Sequence, residues 1–139
     1  MYLKITIVVQ KSKEVNKVKK IQISDAEFCV MKALWKNEPC TSSEIVDEVS
    51  KKQNWNDKTI RTLISRLVSK GAAKAEKNCS KAFVYSSVIS EKDYMNVENK
   101  NFLNKLYGGS VKLMLASFVE NNNLSKEEIE NLKEILEGK

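Results

Sequence analysis

Between Asn56 and Gly71 the chain reads NDKTIRTLISRLVSKG. Its apolar residues, Ile60, Leu63, Ile64, Leu67 and Val68, recur every third or fourth position and fill one arc of a helix. Lys58, Arg61, Thr62, Ser65, Arg66 and Ser69 fill the opposite arc. Asn56 is a good N-cap and Gly71 a good stop, so the pattern predicts a helix from about Asp57 to Lys70. Two similar signals precede it. Ser24 and Glu27 in SDAE form a capping box, and the helix that follows places Phe28, Met31, Leu34 and Trp35 on one face before Asn37-Glu38-Pro39 ends it. Thr41 and Glu44 in TSSE form a second box, opening a helix with Ile45, Val46 and Val49 inward that frays through Lys51, Lys52 and Gln53. Trp55 stands just before the Asn56 cap, placed to staple onto Ile60.

After Gly71 the period falls from 3.6 towards 2. Ala72 to Glu76 and Ala82 to Ser86 read as strands, with Phe83 and Tyr85 on one face and KNCSK, Lys77 to Lys81, as a basic hairpin tip. From Ser90 the helical period returns. One long helix runs through Tyr94, Val97, Phe102, Leu103, Leu106 and Tyr107 until Gly108-Gly109 breaks it. Val111 to Val119 is apolar on most sides, which predicts burial all round. A further capping box in SKEE opens a last helix with Ile129, Leu132, Ile135 and Leu136. The expected fold is therefore mainly α with a small β-hairpin: a winged helix-turn-helix domain over residues 21–89 and three helices over residues 90–139. Three such helices make a poor core for one chain. Either they fold back on the front domain, or a second copy completes them, with Leu103, Leu106, Tyr107, Leu113, Met114, Phe118, Leu132 and Leu136 as the dimerisation residues.

Composition narrows the function. Of the 139 residues, 42% are hydrophobic and 30% charged, the balance of a folded chain. No apolar run approaches the roughly 18–20 residues of a membrane span, so a cytoplasmic protein is expected. The three cysteines, Cys29, Cys40 and Cys79, are far apart and there is no His, which argues against a disulfide framework or a zinc site; buried or half-buried free thiols are expected. Without His the commonest general base is missing, and with four Gly there is no glycine-rich phosphate loop, so neither an enzyme nor a cofactor is expected.

Charge is uneven. Residues 1–20 hold six Lys and one Glu, residues 21–90 are net +3, and residues 91–139 are net −2. A basic front end fits a polyanion partner. The leader 1–20 has two readings. It is a basic arm that grips DNA, or the protein starts at Val18, because Lys13-Glu14-Val15 can be encoded AAG-GAG-GTN, which resembles a bacterial ribosome-binding sequence.

The major groove of duplex DNA admits one α-helix, provided that the helix buries one face and offers donors and small residues on the other. Residues 57–70 meet both conditions. The N-terminal half of such a helix does most base reading, which selects Lys58, Thr59 and Thr62; Ser65 lies on the same arc, and Arg61 and Arg66 read guanine or hold phosphate. Lys74, Lys77 and Lys81 on the wing, and the helix N-terminus at Thr41, are phosphate candidates. A solvated basic face that binds nothing, or a winged-helix protein–protein adaptor, remains the alternative.

The strings ISDAEFCVMKALW (23–35), DKTIRTLISRL (57–67), FVYSS (83–87), NFLNKLYGG (101–109) and LSKEEIENLKEIL (124–136) resemble the penicillinase-repressor family, the BlaI/MecI-type regulators of β-lactam resistance. The resemblance spans about Ile21 to Leu136. It implies a homodimeric winged-helix repressor of a palindromic operator, released when a sensor-linked protease cuts between an Asn and a Phe; Asn101-Phe102 matches that bond. A relative that controls unrelated genes without a protease is the third possibility. Copper-responsive relatives carry Cys-x-Cys near the C-terminus; this chain has no Cys after Cys79, so no metal is expected. Ala72-Ala73 and Cys79 make the wing unlike that of most relatives, and the leader is longer than the family pattern.

Overall fold

The computed structural model describes residues 21–138. The basic leader and the start expected at Val18 lie outside them. Among the described residues the order is α1 (Asp25–Asn37), α2 (Ser42–Ser50), α3 (Asp57–Ser69), β1 (Ala73–Lys77), β2 (Phe83–Ser87), α4 (Glu91–Tyr107), α5 (Val111–Glu120) and α6 (Lys126–Glu137).

Capping chemistry sets the helix starts. Both atoms of each predicted reciprocal pair are in place at Ser24–Glu27, Thr41–Glu44 and Ser125–Glu128, and Asn56 Oδ1 accepts the Thr59 N–H at 2.8 Å. Glu38, extended before Pro39, ends α1. Gly71, at φ +81°, turns the chain out of α3 into β1. The strands pair antiparallel, Ala73 opposite Ser87 and Lys77 opposite Phe83. A third segment joins the hairpin: Cys40 exchanges two backbone hydrogen bonds with Tyr85, at 3.1 and 2.7 Å, and so ties the wing to the α1–α2 connection.

The chain divides between Val97 and Glu98 into two compact units. The division falls inside α4, beyond the boundary expected near residue 90, because Tyr94 and Val97 on the first turns of α4 are buried in the first unit. Its core is Val30, Met31 and Leu34 of α1, the inward faces of α2 and α3, and Ala72, Ala73 and Ile89. Trp35 donates its indole N–H to the Ile89 carbonyl at 3.0 Å.

In the second unit, no residue of α5 or α6 is buried. The cover expected all round Val111 to Val119 does not come from the described residues of the single chain: Val111 is 53% exposed and Leu113 57%, because the unit offers too little surface to cover a helix apolar on most sides. The cysteines also divide. Cys40 is buried and Cys29 half-buried as expected, but Cys79 is exposed at the hairpin tip, where the turn leaves nothing to cover it. Burial pushes the Cys40 thiol up to about 11, helped by the charges of Glu44 and Glu38.

One ion pair staples the first unit. The Glu27 carboxylate, 3% exposed, accepts from Lys70 Nζ at 2.7 Å and from the Ser24 N–H at 3.1 Å, while Oε2 has no hydrogen-bond partner among the described residues. Lys70 also donates to the Gln22 carbonyl. Burial alone raises the Glu27 pKa; the Lys70 and Ser24 hydrogen bonds outweigh it and hold the carboxyl below its ordinary 4.5. A folded pKa below the unfolded one contributes stability that is complete above 4.5 and is lost as pH falls through the folded value. Lys70→Met is therefore expected to cost about 2–3 kcal/mol at pH 7, less than a fully buried pair because the ammonium is partly solvated. Urea melts at pH 7 and pH 3.5 check this. A loss equally large at both pH values would mean that the bond to the Gln22 carbonyl, not the Glu27 charge, carries the effect.

Candidate nucleic-acid interface

The sequence of α3 sorts cleanly in three dimensions. Ile60, Leu63, Ile64 and Leu67 are buried and hold the helix to α1 and α2. Lys58, Thr59, Arg61, Thr62, Ser65 and Arg66 are all exposed on the outer face. Lys58 and Arg66 have no carboxylate partner among the described residues. The Thr62 hydroxyl donates to the Lys58 carbonyl at 2.9 Å, which fixes its rotamer and turns a lone pair and the methyl outward.

Arg61 is committed in a way that no sequence pattern indicated. Its guanidinium donates to Ser42 Oγ at 2.6 Å and to Ser43 Oγ at 3.3 Å, both in the first turn of α2. The bond locks the recognition-type helix to the N-terminus of the preceding helix and places a cation beside that positive end. Thr41 does the capping expected of its side chain. Its hydroxyl accepts the Glu44 N–H and donates to Glu44 Oε1, so the side chain is taken up by the cap. What remains free near Thr41 for an anion is the first-turn backbone at Ser42 and Ser43, backed by Arg61. The two serines were missed because helix-cap position is legible in sequence, whereas an arginine nineteen residues away is not.

The wing lysines sit on β1 and the hairpin tip, all exposed. Lys74 is paired with Glu76 at 3.2 Å, two residues along the same strand face. Lys77 lies 5.5 Å from the centroid of Phe83, its register partner, and Phe83 is itself 53% exposed. Lys81 has φ +62°, held by an Asn78 side chain that accepts from the Ser80 and Ala82 N–H groups. Among the described residues Lys77 and Lys81 therefore have no carboxylate partner, and Lys74 must give one up to bind a phosphate.

In the second unit, Asn101 and Phe102 are exposed in the middle of α4, close after the division at Val97, and the Phe102 ring packs edge-on to Tyr107 at 5.9 Å. Leu106, Leu113 and Leu136 are exposed; Leu103, Tyr107, Met114, Phe118 and Leu132 are half-buried. No described helix is long and apolar enough to cross a membrane.

A three-helix unit closed by a β-hairpin, with a basic third helix seated by its apolar face, defines a winged helix-turn-helix protein. The family model of the penicillinase repressor matches residues 23–138, and the chain belongs to that family. The chain is 46% identical over 121 residues to the penicillinase repressor of Bacillus licheniformis, covering 86% of this chain and 94% of that protein. It is 40% identical over 121 residues to the methicillin resistance regulatory protein MecI of Mammaliicoccus sciuri, covering 87% and 98%. Among solved structures, the monomeric form of Bacillus licheniformis BlaI in complex with the blaP half-operator aligns at 45% identity over 52% of this chain and 88% of that one, with a TM-score of 0.47.

Proposed function

We propose that this protein represses a β-lactam-resistance operon by binding a palindromic operator as a homodimer, and that cutting the Asn101–Phe102 bond ends repression. It is a DNA-binding regulator of the penicillinase-repressor family and not an enzyme. The observation that carries the reading is the outer face of α3, where Lys58, Thr59, Thr62, Ser65 and Arg66 are exposed on a helix whose other face is core. In this reading Lys58 and Thr62 read bases and Arg66 reads guanine or holds phosphate. Arg61 with the first turn of α2, and Lys77 and Lys81 with Lys74 on the wing, hold phosphates. The cut needs a protease linked to a β-lactam sensor, and it separates the operator-binding unit from most of the helices that join the two copies.

The test is a fluorescence-anisotropy titration on the promoter upstream of the chain's own gene, beside an unrelated duplex, at several salt concentrations. The expected result is two protomers per palindrome and a log–log salt slope of about −0.9 per phosphate neutralised. Lys58→Ala is expected to cost about 1–2 kcal/mol on the operator and much less on the unrelated duplex. Equal loss on both would make Lys58 a phosphate contact and remove it from the base-reading set. Binding that ignores both sequence and salt would favour a protein–protein adaptor instead.

A further inference from the structure

Away from α3 and the hairpin, the first unit carries a cavity of about 490 Å³ between α1, the C-terminal end of α2 and the start of α4. None of its lining residues belongs to α3, β1 or β2. The volume is in the range of small-molecule sites, roughly 300–1,000 Å³. Its apolar wall is Phe28, Ala33, Trp35 and Val49. The two rings are held before any ligand arrives: they meet edge-on at 6.0 Å, Phe28 stacks on Tyr94 at 5.8 Å, and the Trp35 indole is pinned by Ile89.

Charge selects the occupant. Three lysines and two glutamates reach the cavity. Lys32 is paired with Glu91 at 2.9 Å and Lys36 with Glu48 at 2.7 Å. Glu48 also takes Lys51, and these two lysines hold its carboxyl down at about 2, so it stays an anion bound to its own cations. Lys52 has no carboxylate partner among the described residues. Beside it, Gln53 turns its amide towards Cys29 Sγ at 3.7 Å and offers a polar group at the same rim. An aromatic wall beneath one uncompensated ammonium and two neutralised ion pairs suits a flat ring with a single negative charge; a second charge would meet the Glu48 and Glu91 carboxylates.

We infer that this cavity binds a flat aromatic monocarboxylate, the ring against Phe28 and Trp35 and the carboxylate on Lys52. The probe is sodium 2-naphthoate, titrated into the full chain and followed by two-dimensional proton–nitrogen NMR, with 2-naphthalenemethanol as the neutral control. The chain has two tryptophans, so the spectrum has two indole signals, assigned with Trp55→Phe. The expected result is saturable movement of the Trp35 indole and of the Lys52 and Gln53 amides, with the Trp55 indole still. Lys52→Ala, on an exposed side chain that the core does not use, is expected to weaken naphthoate about fivefold, the worth of one exposed ion pair, and to leave the alcohol unaffected. Movement confined to residues 111–136, no saturation, or equal naphthoate affinity in Lys52→Ala would each overturn the assignment. The readout does not involve DNA, so it stands or falls apart from the operator reading.

Discussion

Leu106→Asp is expected to leave a folded winged unit that no longer holds its operator. Leu106 is 57% exposed on α4 and lies outside the buried core of the first unit, so the first unit loses no core packing when it is changed. It is one of several uncovered apolar side chains of the second unit: Phe102, Val111, Leu113, Val119, Ile135 and Leu136 are each more than two-fifths exposed. In the proposed dimer a second copy covers them, and a carboxylate at Leu106 puts an unpaired charge at that interface. Two half-site contacts joined in one particle gain roughly 10²–10⁴ in avidity, and monomers forfeit that gain. Sedimentation should therefore show one protomer, operator affinity should fall by about two to four orders of magnitude, and the thermal melt of the first unit should be unchanged. Protein cut at Asn101–Phe102 should behave the same way. A Leu106→Asp protein that sediments as a dimer would place the association elsewhere and remove the rationale for cleavage.

The parts of the fold that were legible in the sequence are those fixed by local chemistry. Capping boxes announced α1, α2 and α6 because an N-cap and its N3 partner are three residues apart, and the apolar positions of α3 gave its inner face, four of them buried and Val68 half-buried, because a helix repeats every 3.6 residues. The contacts that organise the candidate site are long-range and left no such mark. Arg61 on Ser42 and Ser43, Lys70 on Glu27, and Cys40 on Tyr85 each join residues eighteen or more positions apart, and each residue alone looks like an ordinary surface or core position. Val111 to Val119 shows the opposite limit. Its composition says that something covers the helix, but composition cannot say whether the cover comes from the same chain.

Ile60→Ala is expected to be the most damaging single change within the winged unit. Ile60 has no exposed surface, sits on the first full turn of α3 and belongs to the core that α1 and α2 share. Truncation removes three carbons from a packed site and leaves a cavity, at a cost of about 2–5 kcal/mol where the surroundings relax only partly. That is a large part of the roughly 5–15 kcal/mol that holds a small domain together. The loss acts on function through the seat of α3, because Lys58, Thr59 and Thr62 keep their positions only while Ile60 and its neighbours hold the inner face. Ile60→Val, which removes one methylene, should cost about 0.5–1.5 kcal/mol and keep operator binding at low temperature. Thr62→Ala and Ser65→Ala, on the exposed face, should shift stability by no more than about 0.5 kcal/mol. Urea melts of the four variants, read beside their operator affinities, separate the two faces of one helix: Ile60 variants should lose binding in proportion to stability, and Thr62→Ala should lose sequence preference with stability intact. If Thr62→Ala unfolds the unit while Ile60→Ala leaves the melt in place, the helix is turned about its axis from the orientation described, and the residues assigned to the groove change with it.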